Sequence, residues 1–192
     1  MKKNLLLILI IIYSVKLSSQ NSELNLELNY PIPIDNNFFG ENYNGIIDIG
    51  VGYKFFEINK FDFGISLNGG IFQTETDQSG GFKNFKITTY FVQPKIYGEL
   101  NFESIEKLHL KFGIGYTTMI FDVAGTFNGL VLPEQNNRNG FNLNFGLNYD
   151  ITEKLFCQIQ YDFIKLGAQN EASNRNYDRN INILKIGFGY KI

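Results

Sequence analysis

From Glu23 to the C-terminus, apolar and polar residues alternate with period two in one segment after another, and no other feature constrains the fold as much. Period two belongs to a strand whose two faces meet different surroundings, whereas a helix repeats every ~3.6 residues. The clearest segment sets Phe141, Leu143, Phe145, Leu147, Tyr149 and Ile151 against Asn142, Asn144, Gly146, Asn148 and Asp150. Next, Leu155, Cys157, Ile159, Tyr161 and Phe163 oppose Gln158, Gln160 and Asp162. Ile47 to Phe55, Phe61 to Ile71 and Leu24 to Tyr30 repeat the pattern, and further strands run near 85–102, 107–122 and 181–192. The sum is eight strands, long enough to cross a bilayer at a tilt.

The connections sort themselves. Phe56 to Lys60, Glu103 to Glu106 and Thr152 to Lys154 are tight turns. Ile34 to Asn44, Gln73 to Asn84, Val123 to Asn139 and Gly167 to Asn180 are longer, rich in Asn, Gly and acids, and read as loops. Short and long connections in alternation are the plan of an up-and-down membrane barrel, with both termini and the short turns on the periplasmic side. A soluble barrel with its apolar face inward would share the alternation. Against it stand the glycines on the polar face (Gly50, Gly52, Gly64, Gly113, Gly115, Gly146, Gly187, Gly189), which weaken a solvated strand but suit a crowded bore. Apolar-face aromatics also collect near the short turns: Tyr53, Phe55, Phe61, Phe63, Phe102, Tyr149 and Tyr190. Such rings are favoured at the headgroup level. A mean hydropathy of −0.13 fits two-faced strands better than apolar helices.

Ahead of the strands, Lys2 and Lys3 precede an apolar run from Leu5 to Tyr13, and Ser14 to Ser19 is small and polar. This is the layout of a secretory signal peptide, and the run is about half of what a spanning helix needs. Cleavage is expected after Ser19, which divides the chain into a signal peptide, 1–19, and a barrel, 20–192. Loss of Lys2, Lys3 and Lys16 takes the formal charge from −2 to −5. That acidity excludes nucleic acid as a partner. A single cysteine, Cys157, excludes an intrachain disulfide.

The last strand, Lys185-Ile186-Gly187-Phe188-Gly189-Tyr190-Lys191-Ile192, resembles the C-terminal signal read by the outer-membrane barrel assembly machinery. Lys185 stands at its polar position, Gly187 at its glycine, Tyr190 at its aromatic and Ile192 at its terminal hydrophobe. With the signal peptide and strand plan, the mature chain resembles the porin-family small outer-membrane β-barrel proteins of Gram-negative bacteria, such as the OmpX-like barrels and the membrane domain of OmpA. The resemblance implies an all-β, eight-stranded antiparallel barrel in the outer membrane. Its expected partners are outer-membrane lipid and lipopolysaccharide, with the assembly machinery during biogenesis. The chain is expected to be monomeric and to lack a peptidoglycan-binding domain.

Chemistry is sparse. His109 points inward by parity with Leu108 and Leu110, just past the second short turn. As the base of a lipid A-modifying hydrolase it would need a serine in reach and a third group to orient it, and it lies at the wrong end for outer-leaflet lipid. One His and one Cys cannot supply a zinc site, and the Gly-x-Gly pairs lie inside strands and open no helix. No cofactor is expected. The inward charges are Glu27, Asp48, Lys54, Asp62, Lys95, Glu99, Lys111, Asp162 and Lys185. In a bore only just wide enough for side chains, they are expected to pair and plug it, with Tyr97 and Met119 taking further space. A narrow diffusion channel is the alternative. Arg138, Arg175 and Arg179, with Tyr177, are loop candidates for binding phosphate, since the guanidinium fork matches it. If the leader is cleaved as expected, N-terminal sequencing of the membrane-fraction protein will begin at Gln20 or within a residue or two of it, and an intact Met1 would refute this.

Overall fold

A computed structural model of the chain describes residues 23–75, 82–102, 105–127, 130–131, 134–168 and 176–192. The signal segment 1–19 and Arg175 lie outside the described residues. Eight strands make the wall: β1 (Glu23–Ile34), β2 (Asn44–Ile58), β3 (Phe61–Glu75), β4 (Phe82–Asn101), β5 (Leu108–Phe127), β6 (Glu134–Asp150), β7 (Leu155–Leu166) and β8 (Asn180–Lys191). Each pairs antiparallel with the next. β8 returns to β1, with Leu26 opposite Tyr190 and Ile32 opposite Leu184, and the barrel closes. A two-residue strand, Leu130–Val131, folds back on the end of β5. Two short helices, α1 (Phe38–Asn42) and α2 (Asn176–Arg179), sit in the first and last long connections.

The apolar face points outward. Ile96 is 62% exposed and Phe188 57%, while Asp48, Asp162 and Lys185 are completely buried. An apolar core packed inside a water-facing wall would reverse those figures, so the soluble reading falls. Among the described residues no helix is long and apolar enough to cross a membrane. Strands of 12 to 20 residues exceed the roughly 9–11 that a tilted transmembrane strand needs.

Two expectations require correction. The stretch 123–139 is not all loop: β5 continues to Phe127 and β6 begins at Glu134, so Arg138 stands on a strand opposite Met119. The apolar alternation is absent there because hydrogen-bonded ladders can run on with polar side chains once neither face needs to be apolar. Phe55, read as an outward ring, is instead the extra residue of a bulge. Lys54 pairs with Gly64 and Phe56 with Phe63, so the side-chain parity flips. Phe56 takes the outward position, half exposed, with its ring 6.3 Å from that of Phe63.

The tight turns have local causes. Asn59 adopts a φ of 55° between β2 and β3, a conformation that Asn tolerates well. Between β6 and β7, the hydroxyl of Thr152 accepts hydrogen bonds from the amides of Lys154 and Leu155.

Inside, large side chains face glycines across the ladder. Tyr97 is paired with Gly64 on one side and Gly113 on the other. Phe91 faces Gly70, Phe156 faces Gly189, and Glu27 lies between Gly50 and Gly189. A methyl group on Gly189 would run into the Phe156 ring, and one on Gly64 into the Tyr97 ring. Glycine's cost in a strand is therefore offset by the ring its absent side chain admits. Gly189→Ala should destabilise the refolded barrel by about 1–3 kcal/mol through overpacking. Combined with Phe156→Leu, the loss should fall short of additivity by at least ~0.5 kcal/mol in denaturant unfolding. Additive losses would show that the ring is not the reason for the glycine.

Candidate functional site

The bore is ordered in layers, which the register fixes along the axis. At the short-turn end, Lys54 Nζ lies 2.8 Å from Asp62, 3.1 Å from Glu99 and 3.6 Å from Glu23. Asn101 donates to Asp62 at 2.9 Å and Asn148 to Glu99 at 3.1 Å. Next, Lys111 pairs with Glu27 at 2.7 Å, and its ammonium sits 4.3 Å above the centre of the Tyr97 ring. Halfway along, Lys185 bridges Asp48 at 2.8 Å and Asp162 at 2.7 Å, all three with no solvent exposure.

Amides take up much of the remaining bonding capacity. Asn29 and Asn68 donate to Asp48, Asn144 donates to Asp162, and Gln93 accepts from Lys185. Gln160 reaches Glu27, while Gln158 donates to Asn29. Such pairing and hydrogen bonding offset most of the cost of burying charge in a narrow bore. Lys95 is also buried but makes no direct ion pair among the described residues; it lies in the field of Asp162, Glu27 and Asp48. All nine charges named from the sequence are thus brought inside, and eight of them into direct ion pairs.

The opposite end of the bore is apolar. Phe72, Phe91, Met119, Ile164, Leu166, Ile181 and Ile183 are buried there, joined by Phe39 and Tyr43 from the first long connection. Phe39 stacks on Tyr43, with ring centres 4.3 Å apart and planes 9° from parallel, and meets Phe72 edge-on at 4.9 Å. What brings Phe39 in is α1. Its N-cap Asn37 accepts a hydrogen bond from the Gly40 amide at 2.7 Å, and Gly40 lets the helix lie against the carbonyls of Ile34 and Asp35. Sequence reasoning missed this cap. The usable signal was two phenylalanines behind an Asn, inside a connection otherwise made of polar and turn-forming residues.

The three loop candidates among the described residues are engaged with the protein itself. Arg138 donates to the carbonyls of Asp178 and Gly167, Arg179 donates to Leu166, and the Tyr177 hydroxyl donates to Glu41 at 2.6 Å. These bonds tie β6, β7, α1 and α2 together. At the short-turn end, His109 hydrogen-bonds Asn101 through Nδ1 and lies 3.1 Å from Asp150 through Nε2. Lys191 also pairs with Asp150, at 2.8 Å. In the C-terminal segment Lys185 is buried in the bore, Gly187 faces Asn29 of β1, and Tyr190 and Ile192 face outward.

Comparison with known proteins agrees with this architecture. A family model described as the outer membrane protein beta-barrel domain matches residues 5–191. No curated protein sequence matches the chain. Among solved structures, the chain is similar to Ail, the attachment invasion locus protein of Yersinia pestis. The identity is 12% and the TM-score 0.57, over 89% of this chain and 97% of that one. Neisserial surface protein A matches at 12% identity and a TM-score of 0.54, over 89% and 96% of the two chains. The N-terminal barrel domain of Pseudomonas aeruginosa OprF matches at 11% and 0.54, over 90% and 98%. At such identities the likeness carries the fold alone. The family match over nearly the whole length carries more, and the chain belongs to the outer membrane protein beta-barrel domain family.

Proposed function

We propose that this protein is a closed, non-enzymatic barrel of the outer membrane, which supports envelope integrity and presents its long-connection end to the outside. The observation that carries the reading is the double obstruction of the bore. A paired charge network fills its middle and short-turn end, and an aromatic plug under α1 fills the other. Eight strands enclose little more width than their own side chains require. Both nitrogens of His109 are engaged by Asn101 and Asp150, which leaves neither to activate a serine. The apolar outer wall contacts membrane lipid. Arg138 and Arg179 serve here to hold the connections in place, so contact with lipopolysaccharide or a partner falls to the outward surface of α1, α2 and the loops.

The test is electrical and thermodynamic. Refolded wild-type protein in planar bilayers should give no steady conductance, and a large, stable one would promote the channel alternative. Glu99→Gln should be mild, because Lys54 keeps Asp62. Lys185→Met should cost about 3–5 kcal/mol in denaturant unfolding, because it strands two buried carboxylates. Neutralising all three partners at once (Asp48→Asn, Asp162→Asn, Lys185→Met) should recover part of that loss. Equal effects of Glu99→Gln and Lys185→Met would refute the pairing scheme.

A further inference from the structure

A cavity of about 220 Å³ opens between the helices and the barrel wall at the long-connection end, above the aromatic plug. Its lining is largely apolar, with Phe39, Tyr43, Phe121, Leu166 and Ile181 supplying much of it. One cation, Arg138, also contributes. Its two terminal nitrogens each donate once, to the carbonyls of Asp178 and Gly167, and its Nε–H is buried with no hydrogen-bond partner among the described residues. Asp178 lines the cavity too: Arg138 hydrogen-bonds its backbone carbonyl, and its carboxylate acts on the guanidinium through space without a direct hydrogen bond. No carboxylate among the described residues lies within ion-pair distance of the guanidinium. Three of the five guanidinium N–H donors are thus unused among the described residues, and because Arg138 lines the cavity a ligand acceptor there meets a charged donor with bonding capacity to spare.

We propose that this cavity is a binding site for a small aromatic carboxylate, its ring against Tyr43 and Phe121 and its carboxylate on Arg138. Size supports the class of ligand. An apolar cavity of about 150 Å³ accepts benzene, so 220 Å³ takes a slightly larger ring system with an acid group attached. Chemistry supports it as well, since aromatic walls favour edge and offset contacts with a flat ring and the unused N–H donors of Arg138 suit a carboxylate held on the side away from Asp178. The site shares Phe39, Tyr43, Leu166 and Ile181 with the plug and so rests on the closed-bore reading; a steady conductance would undo that reading, whereas a non-conducting protein that fails to bind would count against the site alone.

The experiment uses the refolded mature chain in lipid nanodiscs, with empty nanodiscs as the baseline for partitioning. Calorimetric titration with naphthoate should saturate, and the neutral naphthylmethanol should bind about tenfold more weakly, the worth of one charge-assisted hydrogen bond. Arg138→Gln, which also removes the ties to Asp178 and Gly167, should close the gap between the two probes, and Arg138→Lys, which keeps the charge, should restore part of it. Val123→Trp, which fills the cavity from the barrel wall, should abolish both without loss of heat-modifiable mobility. The proposal is overturned if wild-type protein shows no saturable naphthoate binding above empty nanodiscs. It also fails if Val123→Trp binds naphthoate unchanged, or if the tenfold preference survives Arg138→Gln.

Discussion

Within hydrocarbon every backbone N–H and C=O must find its partner inside the protein, and that single demand organises the rest of this molecule. It forces β8 back onto β1, because an open sheet would leave two edges unpaired in lipid. Closure around eight strands then sets a narrow bore. A narrow bore in turn decides which side chains can enter it, and where each bulky one must be matched by a neighbour with none. The glycines beside Tyr97, Phe91 and Phe156 are thus consequences of closure as much as features of individual strands.

The bore could in principle have been filled with apolar residues. Strands apolar on both faces would approach the continuous hydrophobic runs that are read as spanning helices. Polar filling keeps each strand amphipathic, and it requires the charges to find one another across the barrel. Lys111 and Glu27 are 84 positions apart in sequence, and Lys185 and Asp48 are 137 apart. Such pairs form only when distant strands have been brought round, so they report correct closure as well as stabilising it.

Much of this was legible in the sequence, and the part that was not has definite causes. Alternation identified the strands and their outward face because lipid imposes an unbroken apolar requirement along each crossing. It failed at Phe55, where one extra residue in β2 reverses the parity without any change in composition. It failed again in 123–139, where polar residues on both faces hide a ladder whose bonds are all main chain. Inward charges could be named from parity, but parity does not say which acid meets which lysine. Phe39 was invisible to it, since a five-residue helix carries no strand period and its burial depends on where the barrel mouth happens to lie.

The facing of rings and glycines has a bearing on how the wall finds its alignment. Sliding one strand past another by two residues preserves the inside and outside faces, so hydrophobic patterning alone tolerates the slip. The two-residue turn between β2 and β3 pins that hairpin, but β3 and β4 are joined by a long connection that does not. Between those two strands the side chains themselves must choose. A slip in one direction sets Tyr97 on Asp62 and Phe91 on Asn68; in the other they fall on Ser66 and Phe72. Only in the observed alignment do both rings lie over glycine, so these sockets act as a vernier, rejecting near-miss barrels that would otherwise look equally greasy outside and equally polar within.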